Sequence, residues 1–235
     1  MERYQRQIIL PEIGEEGQLK LKKGKVLLVG VGGLGSPIAL YLAGAGVGTI
    51  GLVDNDVVSV SNLQRQVLYS EAELELPKAE CARKRLSKLN SEITVHAYPC
   101  RLTAENAEEL ISQYDLVVDG CDNFATRYLI NDTCLKLNKV YVYGAISGFD
   151  GQVSVFNYQS KINYRHLYPE EAEMLRMPPP PKGVMGVTPA ITGSVEAAEV
   201  IKILAGFGEV LSDKLWTIDL RTMQTNIISL DCFVC

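Results

Sequence analysis

Short apolar runs alternate with amphipathic segments up to about residue 150 of the chain. The runs are rich in Val, Ile and Leu and are bounded by glycines or polar residues, which predicts strands buried on both faces. The predicted strands are Val26–Val29, Thr49–Val53, Ile93–Ala97, a run from Leu116, and Val140–Tyr143. The predicted helices between them are Ile38–Ala45, Lys78–Leu89, Ala104–Gln113 and Thr126–Leu137. Strands that alternate with helices are typical of a parallel α/β sheet.

The pattern changes after residue 150. Gln152–Asn157 alternates as an antiparallel strand does, and Lys214–Asp219 with Thr225–Leu230 predicts a final hairpin. A helix is predicted over Ile191–Ala205. The acidic, proline-rich stretch Tyr168–Lys182 lacks a hydrophobic period, which predicts a long surface loop. We expect a single domain with a helical arm over 1–22, a first half over 23–150 and a second half over 151–235.

Glycines follow the first predicted strand directly. Gly30, Gly32 and Gly35 form G-x-G-x-x-G, with Gly33 added, and a helical segment follows. Such a strand, turn and helix presents free backbone N–H groups to a phosphate. Asp54 ends the second strand, about twenty residues further on, where a carboxylate can bond a ribose hydroxyl. Together these features predict a mononucleotide-binding unit.

Other polar residues are candidates for the same crevice. Residues 54–66 are turn-rich and carry a single cation, Arg65. Lys78 stands at a predicted helix start, where the helix dipole disfavours it, so we expect an anion nearby. Asp122 follows the fourth strand and, in a parallel sheet, faces the same edge as the glycines. Arg6 lies in the N-terminal arm and is interpreted from spacing alone as a solvated side chain.

Charge and cysteine content narrow the class of protein. The 235 residues carry a formal net charge of -5, which argues against general nucleic-acid binding. The sequence shows no signal peptide and no apolar run long enough for a membrane span, so we expect a cytoplasmic protein. Four cysteines are scattered singly, as expected of reduced packing residues. The other two, Cys232 and Cys235, form a C-x-x-C at the end.

Six motifs in fixed order resemble the ThiF/MoeB/HesA family, the bacterial relatives of ubiquitin-activating enzymes. The motifs are Arg3-Tyr-x-Arg6-Gln, Gly30-Val-Gly-Gly-Leu-Gly35, Asp54-x-Asp-x-Val, Ser61-Asn-Leu-Gln-Arg65-Gln66, Pro77-Lys78 and Asp122-Asn-x-x-x-Arg127. The resemblance implies a Rossmann-like, mainly parallel sheet with C-terminal antiparallel strands, forming a ubiquitin-activating-enzyme adenylation domain over 1–235. It also implies a homodimer, with residues 151–235 facing a carrier protein and a crossover loop over 163–187.

The implied activity is ATP-dependent adenylation of the C-terminal glycine of a ubiquitin-like sulfur carrier ending in Gly-Gly, with Mg²⁺ as cofactor. The implied nucleotide-binding residues match the family motifs: Gly30, Gly32, Gly33, Gly35, Asp54, Asp56, Ser61, Asn62, Leu63, Gln64, Arg65, Gln66, Lys78, Asp122, Asn123 and Arg127. The implied catalytic residues are Arg6, Arg65, Lys78 and Asp122. Within this set, Arg6 reaches into the partner subunit's site and Asp122 coordinates Mg²⁺, which replaces the interpretation of Arg6 as merely solvated.

Two family features are altered. Many members bind zinc through two C-x-x-C pairs, whereas here Asn163 and His166 stand where the first pair belongs. Cys232, Cys235 and His166 offer three zinc ligands, and the alternative is two free thiols. Many members also carry a cysteine in the crossover loop that takes the activated carrier as a thioester or joins it by an acyl disulfide. This chain has Pro178-Pro-Pro-Pro-Lys182 there, so we expect adenylation without an enzyme-bound thioester.

Several alternatives stay open at this point. An NAD-dependent oxidoreductase would use the glycines and Asp54 but leaves Arg65, Lys78 and Asp122 unexplained. A family member could adenylate another carboxylate, on a peptide or a modified tRNA. A scaffold that docks a carrier without catalysis is the third alternative. The residues also leave the thiamine and molybdopterin pathways undecided, although the wording of Asn123-Phe-Ala-Thr-Arg127 resembles thiamine-type members somewhat more.

Overall fold

The computed structural model describes residues 2–178 and 183–231. Its strands are β1 (Lys25–Val29), β2 (Thr49–Val53), β3 (Thr94–Tyr98), β4 (Leu116–Asp119), β5 (Val140–Ser147), β6 (Asp150–Phe156), β7 (Lys214–Asp219) and β8 (Gln224–Ser229). Its α-helices are α1 (Gln5–Ile8), α2 (Gly14–Lys23), α3 (Gly35–Ala45), α4 (Lys78–Leu89), α5 (Ala107–Ser112), α6 (Phe124–Leu137), α7 (Tyr164–Leu167), α8 (Glu171–Arg176) and α9 (Val187–Ala205). Within these residues no helix combines the length and apolar character needed to cross a bilayer.

The strands form one sheet in the order β3-β2-β1-β4-β5-β6-β7-β8. Neighbours from β3 to β5 pair in parallel, and neighbours from β5 to β8 pair antiparallel. This mixed sheet confirms the predicted fold class. The chain leaves β1 towards β2 on one side, while β4 pairs with β1 on the other, so the strand order reverses between β1 and β4. Ligand crevices in open α/β sheets form at such reversals.

Both faces of the sheet are covered, as the apolar runs predict. Along β1, Val26 and Leu28 belong to one buried cluster with α3, α4 and α9 residues, whereas Leu27 and Val29 belong to another with α5 and α6 residues. This separation follows from the period of two along a strand, because successive side chains point to opposite faces. All four side chains are at most 4% exposed.

Helix α9 lies unusually close to β5 and β6. A Cβ on Gly144 would sit 2.2 Å from Cδ of Glu196, and a Cβ on Gly151 would sit 2.1 Å from Oγ1 of Thr192. A side chain at either glycine would therefore have to displace the α9 side chain that packs there. Room for a close neighbour of this kind is one of the specific uses of glycine within a strand.

Element boundaries differ from the prediction mainly in the second half. The predicted loop over 168–182 was wrong at α8, which begins with Glu171 and Glu173 in its first turn. Glu171 also binds Arg165 at 2.9 Å, and Met174 packs against the second buried cluster. Acidic residues favour a helix start, and these tertiary contacts stabilise a helix too short for a periodic signal. Residues 179–182 lie outside the described residues.

Candidate nucleotide site

The ends of β1 and β4 touch at the reversal of strand order. Gly30 has a φ of 87°, and its N–H donates to the Val53 carbonyl at 2.8 Å. A Cβ on Gly30 would lie 2.5 Å from the Gly120 carbonyl oxygen, and a Cβ on Gly120 would lie 2.1 Å from the Gly30 carbonyl oxygen. Only glycine fits this conformation and this approach. The two strand ends therefore form the floor of one crevice.

The glycine loop leads directly into α3. A Cβ on Gly35 would lie 2.2 Å from the Gly30 carbonyl oxygen, so the turn is closed tightly. Gly32 accepts hydrogen bonds at its carbonyl from the N–H and hydroxyl of Ser36, at 2.9 and 2.7 Å. Gly33 lies between Pro189 of α9 and the Arg65 side chain. The N-terminus of α3 is thus presented beside a cation, an arrangement suited to phosphate.

Asp54 follows β2 and is oriented by backbone groups alone. Its two carboxylate oxygens accept from the N–H groups of Val31 and Asp56, at 2.7 and 2.8 Å. Burial raises the pKa of Asp54, against the opposing effect of these two hydrogen bonds and of Lys78. Each carboxylate oxygen has a second lone pair. The carboxylate is therefore oriented in advance and can still accept from a hydroxyl.

Lys78 has the anionic neighbour that its position at the start of α4 predicts. Its ammonium lies 3.0 Å from Oδ2 of Asp56, and its backbone N–H donates to the Asp56 carbonyl at 2.9 Å. The Lys78 side chain is 5% exposed, whereas the Asp56 side chain is 64% exposed. The pair therefore has one buried and one solvated member. The solvated carboxylate can leave at little cost when another anion arrives.

Beside this pair, residues 61–66 form a polar turn that backbone groups hold. The Asn62 side chain accepts from the Ser59 N–H at 3.3 Å, and the Ser59 and Ser61 hydroxyls are 3.1 Å apart. Arg65 donates to the Ser61 carbonyl at 3.0 Å, and no carboxylate pairs with it in the described part of the chain. Gln66 is buried beneath Gly32, and its Oε1 has no hydrogen-bond partner. The side chains of Arg65, which lacks a carboxylate partner among the described residues, and of Gln66 therefore lie beside the glycine loop.

The middle of this turn connects it to the protein interior and to α9. Leu63 packs partly buried against the first cluster. Gln64 donates weakly to the Val184 carbonyl at 3.5 Å, and a Cβ on Gly186 would lie 2.5 Å from the Gln64 backbone oxygen. These two residues position the turn rather than extend into the crevice. The segment that precedes α9 thereby borders the predicted site.

Asp122 and Asn123 follow β4 and are exposed. Asn123 caps α6 by accepting from the Thr126 N–H at 2.9 Å, and its amide lies 3.4 Å from Oδ1 of Asp122. The described residues contain no group of three or more His, Cys, Asp or Glu side chains that could hold a metal. Mg²⁺ needs no such cage, since it commonly binds one or two carboxylates plus substrate phosphates and water. A single exposed carboxylate at the crevice fits that mode.

Two predicted site residues lie away from these groups. Arg127 is 7% exposed and lies below the crevice, where it pairs with Asp119 at 3.1 Å. Arg6 is exposed on α1 and has no ion pair among the described residues. Its neighbour Arg3 binds the Leu89 carbonyl and Glu92 instead. Within one chain most of the other predicted residues lie on the loops that follow β1, β2 and β4, Leu63 and Gln64 contact the interior and the segment before α9, and Arg6 stands apart on the arm.

Sequence reasoning missed three polar residues near the site. Tyr69 donates to the Val31 carbonyl at 2.8 Å, and burial, together with the Asp54 charge, raises the pKa of this phenol. Asp119 is fully buried under the end of β4. Glu196 on α9 is also fully buried, and neither of its oxygens has a partner. The available signals were an acid inside the Leu116–Asp119 run and an acid on the apolar stripe of α9.

The predicted zinc ligands are divided between described and undescribed residues. The His166 Nδ1 accepts from the Asn163 N–H at 3.1 Å, and the Asn163 side chain accepts from the Arg165 N–H at 3.0 Å. Both residues therefore serve to cap α7. Cys232 and Cys235 lie outside the described residues. The zinc site stays a prediction.

Three of the four described cysteines are poor nucleophiles. Cys81, Cys121 and Cys134 are buried, and burial raises the thiol pKa of each, that of Cys134 to about 12. Cys100 is half-buried. Because the thiolate is the reactive form, a raised pKa suppresses reactivity. These environments are those of packing residues.

Sheet topology and crevice together define a Rossmann-like nucleotide-binding protein. A sequence profile of the ThiF family matches residues 4–232, so the chain belongs to that family. It is 49% identical over 232 residues to the sulfur carrier protein adenylyltransferase of Thermus thermophilus, covering 93% of this chain and 83% of that relative. It is 45% identical over 240 residues to the probable adenylyltransferase/sulfurtransferase MoeZ of Mycobacterium tuberculosis, covering 97% of this chain and 59% of that relative. Curated relatives such as MoeZ therefore extend well beyond the matched region.

Solved structures give the same architecture. Escherichia coli MccB with ATP superposes with a TM-score of 0.81 at 25% identity, over 92% of this chain and 67% of that one. PaaA superposes with a TM-score of 0.83 at 21% identity, over 97% of this chain and 73% of that one. At such identity PaaA shows the fold alone. The MccB structure is a complex with ATP.

Proposed function

We propose that this chain is an ATP-dependent adenylyltransferase that activates the C-terminal glycine carboxylate of a ubiquitin-like sulfur carrier protein. The observation that carries the proposal is the meeting of opposite charges at one crevice. Asp54 and Asp122 follow β2 and β4, the parallel strands on either side of β1, while Arg65 and Lys78 lie near the glycine loop that follows β1. The relatives named as adenylyltransferases of sulfur carriers and of molybdopterin synthase support this activity.

The chemistry suits these residue types. The carrier carboxylate attacks the α-phosphorus of ATP, and the bond from that phosphorus to the oxygen that bridges the α- and β-phosphates breaks. Pyrophosphate is released, and the other product is the acyl-adenylate of the carrier. A carboxylate is already ionised at neutral pH, so no general base is required. Asp54 would bind the ribose, and Arg65 and Lys78 would bind the phosphates. Phosphoryl chemistry gains mainly from such positioning and charge neutralisation. Mg²⁺ held by Asp122 would neutralise further phosphate charge.

Lys78 would exchange partners when ATP binds. In the free protein its ammonium is neutralised by Asp56, the solvated member of the pair. A triphosphate carries more charge than one carboxylate and can displace it. Because the Lys78 side chain is buried, its ammonium has little freedom to turn elsewhere. Asp56 therefore holds the lysine in place rather than blocking it.

The proposal includes a homodimer in which Arg6 acts in the partner's site. A groove on α9 is lined by Ala190, Ile191, Ser194, Val195 and Ala198. A second groove continues along the same helix at Ile201 and includes Arg6 and Tyr41. Tyr41 is 59% exposed. An apolar groove on α9, with a second groove at Ile201 that includes an arginine without an ion pair among the described residues, suits a second copy, whose bound ATP would supply phosphates to that arginine.

The carrier would dock on the antiparallel half. All six residues of β8 are exposed, and this strand is the edge of the sheet. Met223 and Ile227 are 65% and 63% exposed. An exposed edge with apolar side chains is a surface that proteins normally cover. A globular carrier seated there would extend its tail towards the crevice across the segment that precedes α9.

We further propose that no thioester forms on this enzyme. Three of the four described cysteines are buried with raised thiol pKa values. The predicted loop 178–182 contains no cysteine. The activated carrier would therefore leave as the adenylate or react with a separate sulfur donor. A reductant-sensitive covalent adduct between carrier and any cysteine of this chain would contradict this part.

The first test is ATP–pyrophosphate exchange with a ubiquitin-like carrier that ends in Gly-Gly. We expect exchange that needs the intact tail and disappears with Lys78→Ala and with Asp122→Ala. A carrier lacking the two glycines and a free peptide with the same tail serve as controls. No exchange with any carrier, despite ATP binding, would favour the scaffold. Exchange with the peptide alone would favour a different carboxylate.

A mixing experiment tests the cross-dimer role. Arg6→Ala and Lys78→Ala chains should each be inactive alone. When equal amounts are unfolded and refolded together, mixed dimers regain one intact site, so exchange should return to about a quarter of the unaltered level. If sedimentation verifies dimers but exchange does not recover, Arg6 acts in the site of its own chain or takes no part in the reaction.

A further inference from the structure

The backbone of Cys121, the residue before Asp122, is held at both of its polar groups. Its N–H donates to Oδ1 of Asp119 at 2.7 Å, and its carbonyl accepts from Nη2 of Arg127 at 2.9 Å. Asp119 and Arg127 also pair with each other at 3.1 Å. Asp119 is fully buried and Arg127 is 7% exposed. Two buried, mutually bonded charges therefore fix the two peptide units on either side of the Cys121 Cα, the second of which leads into Asp122.

These two charges are themselves anchored to β5. The Tyr141 hydroxyl donates to Oδ2 of Asp119 at 2.8 Å, and Arg127 donates to the Gly144 carbonyl at 3.1 Å. The Arg127 guanidinium also lies 5.5 Å from the centre of the Tyr143 ring. Each oxygen of Asp119 thus has a partner, and the guanidinium bonds to one carboxylate and two carbonyls. A buried polar network with its partners in place is rigid.

Asp122 lies between this fixed peptide and a helix cap. On its other side, Asn123 caps α6. Asp122 itself is exposed and bonds only to the Asn123 amide, at 3.4 Å. Its backbone is therefore held on both sides while its carboxylate faces outward. The carboxylate is thus kept in place mainly through its backbone, with one weak hydrogen bond to Oδ1.

We infer that Asp119 and Arg127 form a buried clamp that positions Asp122 for metal, so that Arg127 is a positioning residue and makes no contact with phosphate. The inference rests on the proposed function, because it takes Asp122 as the metal ligand. Residues that orient a metal ligand from behind commonly change metal affinity ten- to a hundredfold when altered. Here the clamp orients Asp122 through its hydrogen bonds to the main chain of Cys121.

Arg127→Lys is the sharpest variant. Lysine keeps the charge opposite Asp119 but lacks the planar guanidinium, whose Nε binds Asp119 while its Nη2 binds the two carbonyls. Mn²⁺ would report metal binding by electron paramagnetic resonance at saturating ATP, without any carrier. We expect its dissociation constant to rise about tenfold, while ATP binding without metal stays within about twofold. Amide hydrogen exchange at residues 121–123 should become faster in the metal-free protein.

A double-mutant cycle shows whether the effect passes through Asp122. In an Asp122→Asn background, Arg127→Lys should weaken Mn²⁺ binding no further, because coupled residues are non-additive. The matched control is Arg165→Lys, since Arg165 of α7 also binds two acids, Asp132 of α6 and Glu171 of α8, away from Asp122. That change should leave Mn²⁺ binding unaltered.

Tyr141→Phe is a milder second variant should Arg127→Lys fail to fold. It removes one hydrogen bond to Asp119 and should weaken Mn²⁺ binding in the same direction by a smaller factor. Unchanged Mn²⁺ affinity in the folded variants, or additive effects in the cycle, would overturn the inference. Absence of Mn²⁺ binding by the unaltered protein would also overturn it, whereas the pyrophosphate exchange test judges adenylation separately.

Discussion

Two layers of charged residues lie at the carboxyl ends of the parallel strands, and they differ in where their partners come from. The lower layer, Asp119 and Arg127, is buried and bonds within the protein. The upper layer includes Arg65 and two exposed acids, Asp56, which pairs with Lys78, and Asp122, which bonds weakly to Asn123. The lower charges already have buried partners, whereas the exposed acids can change partners. Under the proposed function, the lower layer holds the structure and the upper layer takes part in the chemistry.

The largest expected effect tests the lower layer. Arg127→Ala leaves Asp119 buried and unpaired, which should lower the free energy of unfolding by about 3–5 kcal/mol. Urea denaturation of the ATP-free protein measures this. The exposed Arg221→Ala, which removes an ion pair to Asp219, is the control and should change stability by less than about 1 kcal/mol. Equal effects for both would abolish the distinction between the layers.

Arg65→Ala tests the upper layer with the opposite expectation. Arg65 has no carboxylate partner in the described chain and contacts the glycine loop. We expect the free energy of unfolding to change by no more than about 0.5 kcal/mol. Pyrophosphate exchange should fall about 10²–10³-fold, the range for removing one preorganised group that stabilises developing charge. A variant that unfolds easily but keeps its exchange rate would reverse the assignment.

Glu196→Gln tests whether the buried, unpaired carboxyl group of Glu196 makes the stability of the protein depend on pH. Burial and the Asp119 charge raise the pKa of Glu196 well above its usual range, against the lowering effect of Arg127. Between the ordinary value and the raised one, the folded protein binds a proton that the unfolded chain has released. Stability is therefore lost as pH rises through this window, by up to about 1.4 kcal/mol per pH unit.

Glutamine resembles the protonated acid and has no such dependence. Relative to the unaltered protein, Glu196→Gln should therefore become more stable as pH is raised from 5 to 8, with little difference at the acidic end. Urea midpoints across that range measure the trend. A stability difference that is the same at every pH would show that Glu196 is ionised in the folded protein.

The smallest effect expected is that of Tyr69→Phe. It removes the hydrogen bond from the Tyr69 hydroxyl to the Val31 carbonyl. The N–H of Val31 in turn donates to the Asp54 carboxylate. The loss should be about 1 kcal/mol of stability, with a modest rise in KM for ATP and little change in kcat. Thermal unfolding and exchange kinetics give the two values. A large fall in kcat would place Tyr69 among the reacting groups.

The strands and helices whose apolar residues follow a regular period could be predicted from the local sequence alone. The strand Thr49–Val53 and helix Lys78–Leu89 were predicted to the residue, because apolar period and flanking residues agree there. The anion expected beside Lys78 is Asp56, which stands 22 residues earlier. Motif order indicated the crevice, since the carboxyl ends of parallel strands meet at one edge.

The lower layer could not be predicted in this way. An acid such as Asp119 or Glu196 is ordinarily expected at the surface. Its burial depends on partners far along the chain, such as Tyr141, and on the close approach of α9 to Gly144. Helix α8 also escaped prediction because tertiary contacts, not period, stabilise it. Long-range packing decides these features, and one sequence does not display it.

The pair of Lys78 and Asp56 has a consequence for selectivity among anions. A bare buried ammonium would attract any small anion in the cell, including inorganic phosphate and sulfate. Here each incoming anion must first displace the Asp56 carboxylate, which stays close because it belongs to the same chain. A small anion would meet one cation and gain little by the exchange, whereas under the proposed function a nucleotide would also bind the glycine loop and Arg65. In that role Asp56 would favour the binding of polyanions over that of small anions at Lys78.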